Sequence, residues 1–259
     1  MTDVLLYPGC AVPSKLPFVE AAARFVLQSL DIPHSDFPDF TCCVEPVGLR
    51  SIGLDTWLVA GARLHAIAGK NGNPVLTLCD GCTLSMRESG EMLDSGAAEA
   101  ANDILKEIRL EYSRPAEVRG FLETIHSRLK DLEARAVKPM ELRLGVHPGC
   151  HADHLCNGKG AQAMLAEIIE TMGGIAVCAA ERVCCGGSLT SVNDEVARGV
   201  SQEALQAYGD ADAIVTSCPF CFLQFDTVVR GKKVIHVAEL VAEWLGWETD
   251  YMSHHRTRD

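Results

Sequence analysis

The sequence predicts an α/β fold of two pseudo-symmetric Rossmann-like domains that arose by internal duplication, each carrying one five-cysteine site. Three observations predict it. Apolar strand-like runs alternate with helical patterns, the order of elements restarts midway along the chain, and ten of the twelve cysteines repeat at a near-constant offset. We place the first domain, with a helical spacer, at residues 1–138 and the second at residues 139–259. A chain of 259 residues is long enough for two such domains.

The first half begins with a short apolar run at 4–7, which predicts a buried strand ending at a Pro-Gly-Cys turn. Apolar residues at helical spacing predict helices over 15–30 and 56–68. The Pro- and Asp-rich segment 34–40 is expected to be a loop that leads to a pair of adjacent cysteines. A second strand is predicted over 74–78, directly before a Cys-x-x-Cys motif.

The stretch from residue 83 to about 138 is expected to be mostly helical. One helix is predicted over 97–111, and another starts near Pro115 and runs to Ala136, with proline in its first turn. Many charges make its outer face solvated, so we expect a packing spacer between the halves.

The second half repeats the order of the first. Its strands are predicted over 142–146, 175–178, 213–216 and 233–236, and its helices over 160–172, 194–208 and 239–245. Strands that alternate with helices indicate mainly parallel sheets, which bind ligands at the carboxyl ends of their strands.

The two cysteine sets share one spacing pattern. The first follows C-x31-CC-x35-C-x2-C and the second C-x33-CC-x32-C-x2-C, so matching cysteines lie 139 to 142 residues apart. The first set is Cys10, Cys42, Cys43, Cys79 and Cys82, and the second is Cys150, Cys184, Cys185, Cys218 and Cys221.

This pattern favours metal binding. Adjacent cysteines rarely bond to each other, because the ring would be strained, but their diverging side chains can grip two neighbouring metal atoms. A Cys-x-x-Cys pair adds two thiolates at the spacing of iron–sulfur and zinc sites. Four thiolates would suffice for zinc or a cubane cluster. The fifth, present in both halves, favours a larger or less regular cluster over an idle cysteine in each half, while zinc remains open on spacing alone.

Composition narrows the function further. The net charge of −12 argues against binding to nucleic acid or an anionic membrane. The sequence contains no signal peptide and no apolar run long enough for a membrane span, so we expect a cytoplasmic protein. In a reducing compartment, a chain with twelve cysteines is better interpreted as a metal-binding protein than as a secreted scaffold held together by disulfides.

Several residues near the cysteines are candidates for supporting roles. His151 follows a candidate ligand and could deliver a proton or hydrogen-bond a cluster sulfur, and His147 and His154 are weaker candidates for the same roles. Gly186 and the glycine after it should let the backbone approach the cluster and offer amide donors. The two remaining cysteines are interpreted as small buried residues, and they are Cys156 and Cys178.

These motifs resemble the cysteine-rich double domain found in the B subunit of heterodisulfide reductase. The resemblance covers nearly the whole chain. It is carried by His147-Pro148-Gly149-Cys150-His151, by Cys184-Cys185-Gly186-Gly187, by the run Cys218–Asp226 and by Cys79-Asp80-Gly81-Cys82. The broader family includes relatives in lactate, glycolate and glycerol-phosphate oxidation and in thiol:fumarate reductase.

The resemblance implies two noncubane [4Fe-4S] clusters, each held by one set of five cysteines. In the family, the disulfide CoM-S-S-CoB is cleaved between the two clusters, with one electron from each side. The resemblance also implies as partners an iron–sulfur C subunit, a flavin-containing A subunit, and a hydrogenase or formate dehydrogenase further upstream. The sequence has no Gly-x-Gly-x-x-Gly fingerprint for flavin or nicotinamide, which agrees with an external electron supply.

The halves depart from the family pattern and from each other. The first has Val44 where the pattern has glycine, and Ala11 where the second half has His151. We therefore expect the second half to handle protons. Two alternative functions remain: a homologous subunit of another flavin-dependent complex or sulfur-oxidation system acting on a different thiol or disulfide, and a non-catalytic zinc-binding module.

Overall fold

Two four-stranded parallel sheets form the framework of the protein. The computed structural model describes residues 3–36, 39–137, 139–156, 160–181 and 183–248. The strand order is β2-β1-β3-β4 in the first sheet and β6-β5-β7-β8 in the second. The two sheets therefore have the same topology. The strands are β1 Val4–Tyr7, β2 His34–Asp36, β3 Val75–Thr77, β4 Val118–Gly120, β5 Arg143–Val146, β6 Ile175–Cys178, β7 Ala213–Thr216 and β8 Lys233–His236.

Thirteen α-helices of the described residues connect and flank these strands. A π-helical turn, Leu93–Ala97, joins α5 to α6, and short 3-10 turns follow at Lys106–Ile108 and Gly187–Leu189. The helices are α1 Ala11–Lys15, α2 Pro17–Ser29, α3 Gly48–Ile52, α4 Leu54–Asn71, α5 Asp80–Met92, α6 Ala98–Leu105, α7 Phe121–Ser127, α8 Leu129–Arg135, α9 Cys150–Leu155, α10 Gly160–Thr171, α11 Asp194–Gln206, α12 Pro219–Val228 and α13 Val237–Trp244.

The central strands β1 and β5 are formed by apolar runs that the sheet buries. All four residues of β1 are buried, and Leu5 and Leu6 lie opposite Val75 and Leu76 of β3. A parallel strand covered on both faces requires such continuous apolar character. The register also brings the carboxyl ends of β1 and β3 together, and the same relation holds between β5 and β7.

The predicted α/β class and the repeated topology are confirmed. The predicted strands over 4–7, 175–178, 213–216 and 233–236 match the structure, and those over 74–78 and 142–146 differ from β3 and β5 only at their ends. The predicted helices that correspond to α2, α4, α6, α10, α11 and α13 also differ mainly at their ends. The helices that begin at the two Cys-x-x-Cys motifs, α5 and α12, were not predicted as separate elements. Both occupy the place of the crossover helix after a central strand.

Two predictions about the first half were wrong. The predicted loop 34–40 contains β2, which pairs with β1, and the predicted helix from Pro115 to Ala136 contains β4, which pairs with β3. Each strand has only three residues, which is too short for a recognisable period. The amide of Val75 donates to the Glu117 carbonyl at 2.8 Å, so pairing with a neighbour, and not local propensity, makes β4 a strand.

The chain separates into two compact units. One comprises the described parts of Met1–Pro13 and Ile32–Phe121, and the other those of Ser14–Asp31 and Leu122–Asp259. Helix α2 belongs to the second unit because its apolar face packs on α13 there. The compact units therefore do not follow the division at residue 138, which stays a prediction about the duplicated halves. Among the described residues, none of the helices combines the length and apolar character that crossing a bilayer requires.

Candidate metal centres

The matched cysteines lie at the carboxyl edge of each sheet. Cys10 follows β1, and Cys79 and Cys82 follow β3, its neighbour in the sheet. The equivalent positions after β5 and β7 carry Cys150, Cys218 and Cys221. Each pair of adjacent cysteines comes from the loop that follows an edge strand, β2 or β6. The topology thus brings three separate loops of each half to one edge.

In the first half the thiols form close contacts. The Sγ atom of Cys42 lies 3.7 Å from that of Cys10, and the Sγ atom of Cys43 lies 3.2 Å from that of Cys82. Cys79 hydrogen-bonds Cys82 in turn. Cys43, Cys79 and Cys82 are buried, whereas Cys10 and Cys42 are exposed. The five thiols therefore gather in one place with a buried and an exposed side.

The second half repeats this pairing. Cys184 hydrogen-bonds Cys150, Cys185 hydrogen-bonds Cys221, and Cys221 also hydrogen-bonds Cys218. The division of burial is also the same, with Cys150 and Cys184 exposed and the other three buried. The duplication is therefore present in the geometry as well as in the spacing.

A glycine before the first cysteine of each set allows the thiols to approach. Gly9 has φ +77° and Gly149 has φ +96°, which favour glycine. A Cβ atom on Gly9 would lie 2.9 Å from Cys82 Sγ, and one on Gly149 would lie 3.0 Å from Cys221 Sγ. A side chain at either position would thus fill the space around the thiol.

Backbone amides point at the adjacent cysteines. The Gly186 amide donates to Cys184 Sγ at 3.3 Å, and the Gly187 amide donates to Cys185 Sγ at 3.3 Å. These donors agree with the expectation for the two glycines. In the first half, the Val44 amide donates to Cys42 Sγ at 3.4 Å.

Val44 holds the left-handed conformation that glycine holds in the second half. Its φ is +59°, and that of Gly186 is +78°. A β-branched residue is strained there. Valine fits the first half but would not fit the second, because a Cβ atom on Gly186 would lie 2.5 Å from the Ala197 carbonyl oxygen.

Buried serines hold the loops of adjacent cysteines, and sequence reasoning missed them. The Ser85 hydroxyl, from α5, lies 2.9 Å from the Cys43 carbonyl and 3.0 Å from that of Val44. The Ser201 hydroxyl, from α11, donates to the Cys185 carbonyl at 2.6 Å. The two serines come from different elements, so comparison of the two halves gives no signal for them.

Contacts between thiols separate their pKa values. Hydrogen bonds from Cys10 and Cys43 hold the pKa of Cys42 far below the ordinary thiol value. Hydrogen bonds with Cys43 and Cys79, together with burial, raise the pKa of Cys82. The matching thiols of the second set shift in the same directions. Because metal ligands are thiolates, each set must release protons when a metal group binds.

A histidine joins the second set. His147 is buried, its Nδ1 atom lies 3.1 Å from the Tyr208 hydroxyl, and burial lowers its pKa to about 4. Its ring nitrogen and the Sγ atoms of Cys185 and Cys221 all lie within 4.8 Å of one another. The sequence motif contains both His147 and His151, and it does not indicate that His147 is the one that lies beside the buried thiols.

The other predicted residues have mixed outcomes. His151 is buried in the short helix α9, directly after Cys150, and its role stays a prediction, whereas His154 is exposed. The prediction that the two unmatched cysteines are buried was wrong, because Cys156 is half-buried and Cys178 is exposed. Cys178 ends β6, an edge strand whose residues are only partly covered.

Two cavities among the described residues lie away from the thiols. One of about 380 Å³ is bordered by Pro74 and Glu117, which precede β3 and β4, and therefore opens at the amino edge of the first sheet. A more open one of about 560 Å³ lies beside His65 and Lys70 of α4. Neither includes a matched cysteine.

Comparison with known proteins identifies relatives over almost the whole chain. The cysteine-rich domain model (CCG) matches residues 4–87 and again 144–226. The B subunit of the ferredoxin/F(420)H(2)-dependent CoB-CoM heterodisulfide reductase of Methanosarcina acetivorans is 30% identical over 96% of this chain and 91% of its own length. The 8-methylmenaquinol:fumarate reductase membrane anchor subunit of Wolinella succinogenes is 26% identical over 94% of this chain and 92% of its own.

Two further matches cover only about half of the other protein. The B subunit of the fumarate reductase (CoM/CoB) of Methanothermobacter marburgensis is 26% identical over 91% of this chain and 45% of its own length. The crystal structure of a hypothetical protein from Helicobacter pylori aligns with the whole chain and 52% of its own, with a TM-score of 0.76 and 16% identity. At that identity the likeness concerns the fold alone.

Proposed function

The chain belongs to the cysteine-rich CCG domain family, and we propose that it is the disulfide-reducing subunit of a heterodisulfide-reductase-type complex. The proposed reaction is the reduction of CoM-S-S-CoB to its two thiols. The observation that carries the proposal is the duplicated arrangement of five thiols at the carboxyl edge of each sheet. The similarity to the B subunit of a heterodisulfide reductase over 96% of this chain supports it.

Each set of thiols would hold one iron–sulfur cluster, and such a group supplies one-electron transfer when bound. The residues present fit that cofactor. Thiolates are the usual cluster ligands, and the amides directed at sulfur in both halves are the donors that such clusters use. Gly9 and Gly149 leave room that a side chain would fill. The proposed ligands are Cys10, Cys42, Cys43, Cys79 and Cys82 for one cluster, and Cys150, Cys184, Cys185, Cys218 and Cys221 for the other.

The noncubane [4Fe-4S] type is proposed because each site offers a fifth thiol. A cubane needs only four cysteines. In both halves the fifth thiol lies within the hydrogen-bonded group, since Cys10 contacts Cys42 and Cys150 contacts Cys184. An idle cysteine would not be expected to keep that place twice.

The reaction requires protons as well as electrons. Cleavage of the S–S bond takes up two electrons and two protons, and each sulfur leaves as a thiol. His151 is the proposed proton donor because it is buried directly beside Cys150, whereas its counterpart Ala11 cannot hold a proton. The proton-handling side is therefore assigned to the second half.

Electrons would come from partner subunits. We propose an iron–sulfur C subunit, together with a flavin-containing A subunit, in a cytoplasmic complex that has a hydrogenase or formate dehydrogenase upstream. Exposed apolar side chains follow both pairs of adjacent cysteines, and the most exposed are Ile52, at 86%, and Val192, at 81%. They lie 140 residues apart, close to the offset of the cysteines. Other exposed apolar residues lie close to each of them in the sequence, Val47 and Leu49 before Ile52 and Leu189 and Val196 around Val192. Groups of exposed apolar side chains mark protein contacts, so we assign them to the docking of the iron–sulfur partner.

The first test is the iron, acid-labile sulfide and zinc content of anaerobically purified protein. About eight iron atoms and eight sulfides per chain, without zinc, are expected for two four-iron clusters. Reduction of CoM-S-S-CoB by a reduced viologen should then follow. About four irons would rule out the paired clusters. Zinc without sulfide would favour a non-catalytic metal-binding module.

A second candidate is a subunit of another flavin-dependent complex, or of a sulfur-oxidation system, that acts on a different thiol or disulfide. The matches to two fumarate reductase subunits favour it. Assay of the iron-loaded protein against CoM-S-S-CoB and a panel of other disulfides distinguishes the two. Turnover of another disulfide, with none of CoM-S-S-CoB, would select this alternative.

A further inference from the structure

The two cysteine sets differ at the residue three positions before the first cysteine of each set. Tyr7 ends β1, and His147 directly follows the last residue of β5; each precedes the first cysteine of its set by three residues. The Tyr7 hydroxyl donates to the Thr41 carbonyl at 2.5 Å, so its only proton is already used. The imidazole of His147 has a second nitrogen, and the two halves are therefore chemically different at this point.

That second nitrogen is buried, on a ring that lies beside two thiols. His147 is 2% exposed, and its Nε2 atom has no hydrogen-bond partner among the described residues. The ring nitrogen and the Sγ atoms of Cys185 and Cys221 lie within 4.8 Å of one another. The ring also packs against Phe225, with centroids 4.6 Å apart. A buried polar nitrogen without a partner is costly, and sulfur is the neighbour that could satisfy it.

The Tyr208 hydroxyl determines which imidazole nitrogen carries the proton. It lies 3.1 Å from His147 Nδ1 and 3.2 Å from the Val146 carbonyl oxygen. When it donates to Val146, it can only accept from Nδ1–H, and Nε2 is left bare. When it rotates to donate to Nδ1, the neutral ring carries its proton on Nε2. Thiolates and sulfides attract an N–H group and repel a bare nitrogen, so an anionic metal–sulfur group selects the second arrangement.

We propose, resting on the cluster assignment above, that His147 Nε2–H donates a hydrogen bond to a sulfur of the second centre, with Tyr208 holding the required tautomer. His147 is thus a positioning residue that raises the reduction potential of that centre. Hydrogen bonds to sulfur are one of the means by which proteins set cluster potentials. Tyr7 gives the first centre no equivalent donor.

The test is an anaerobic redox titration of the iron-loaded, full-length protein, in which both centres are followed by visible absorption. His147→Phe keeps a flat ring but has no donor, and it should lower one midpoint potential and leave the other unchanged. Tyr208→Phe should shift the same potential in the same direction by less. His147→Gln, whose amide can replace Nε2–H, should keep most of the wild-type potential of this centre. Tyr7→Phe should leave the potential of this centre unchanged.

Each other outcome contradicts the inference. An unchanged potential in His147→Phe, or equal shifts of both centres, would remove His147 from the second centre. An upward shift would mean that Nε2 offers its lone pair instead of a proton. Loss of half the iron from both His147→Phe and His147→Gln would make the residue a ligand and not a tuning group. Wild-type protein without iron would refute the proposed function itself, which separates the two failures.

Discussion

The Sγ atoms of Cys43 and Cys82 lie 3.2 Å apart, although 39 residues separate them in the chain. One comes from the pair of adjacent cysteines and the other from the first turn of α5. The equivalent thiols of the second half, Cys185 and Cys221, are also hydrogen-bonded. This contact joins the two motifs of each half into one site, so loss of one member should affect a single half.

Cys43→Ser and Cys185→Ser should each lower the iron content from about eight to about four atoms per chain. Serine is a poor ligand for iron, and the intact half keeps its five thiols. Iron and sulfide analysis of the purified variants measures the loss. Cys178→Ser is the matched control, because this exposed cysteine lies outside both sets and its loss should not change the iron content. Retention of all the iron in Cys43→Ser would refute the five-ligand assignment.

Val44→Gly should change the stability by less than about 1 kcal/mol, because relief of the left-handed φ of +59° is offset by the lost packing of Val44 on the buried cluster around Trp57 and by the chain entropy that glycine adds to the unfolded state. Gly186→Val should instead be strongly destabilising, because a Cβ there meets the Ala197 carbonyl. Urea unfolding of the two variants under argon measures both effects. Equal effects at the two positions would contradict the difference found between the halves.

The sequence was sufficient for the class of fold and for the membership of each cysteine set. Strands such as β1 were predictable because four consecutive buried residues are apolar, whereas β4 was not, since Val118 is the one large apolar residue among its three. The contact between Cys43 and Cys82 depends on strand order, which spacing does not encode. The role proposed for His147 depends on Tyr208, 61 residues away, and only the folded chain brings the two together.

The free energy of unfolding should fall as the pH drops from about 6.5 to about 5. His236 should account for about 2 kcal/mol of this decrease. Burial lowers its pKa to about 4. Its Nε2 donates to the Ser217 carbonyl and its Nδ1 accepts from the Ala238 amide, so the folded state has no place for a second proton. The unfolded chain binds that proton below its ordinary pKa, and acidification therefore favours unfolding.

The measurement is urea unfolding of the full-length protein at several pH values, with His236→Asn for comparison. Asparagine can still cap α13 but does not titrate in this range. The stability of this variant should fall less on acidification than that of the wild type. Parallel pH profiles for the two proteins would show that His236 is not responsible.

Ile52→Ser and Val192→Ser should each weaken binding of the iron–sulfur partner protein by about tenfold or more. Burying such a side chain contributes about 1.5–3 kcal/mol, and both lie on the surface shortly after a pair of adjacent cysteines. Binding to the purified partner, measured by calorimetry, gives the change. Ile104→Ser is the control, since this side chain is also exposed but lies on α6. Equal losses for all three would mean that the partner does not dock beside the cysteines.

His151→Ala should lower turnover of the disulfide by about 10²-fold without loss of iron, because a general acid contributes to proton transfer and not to cluster binding. His154→Ala is the matched control, since His154 lies on the same helix but is exposed. Steady-state rates with reduced viologen, together with iron content, separate the two roles. A rate equal to the wild type would move proton delivery to another group. A low rate with half the iron would instead mean that His151 supports the loop of Cys150.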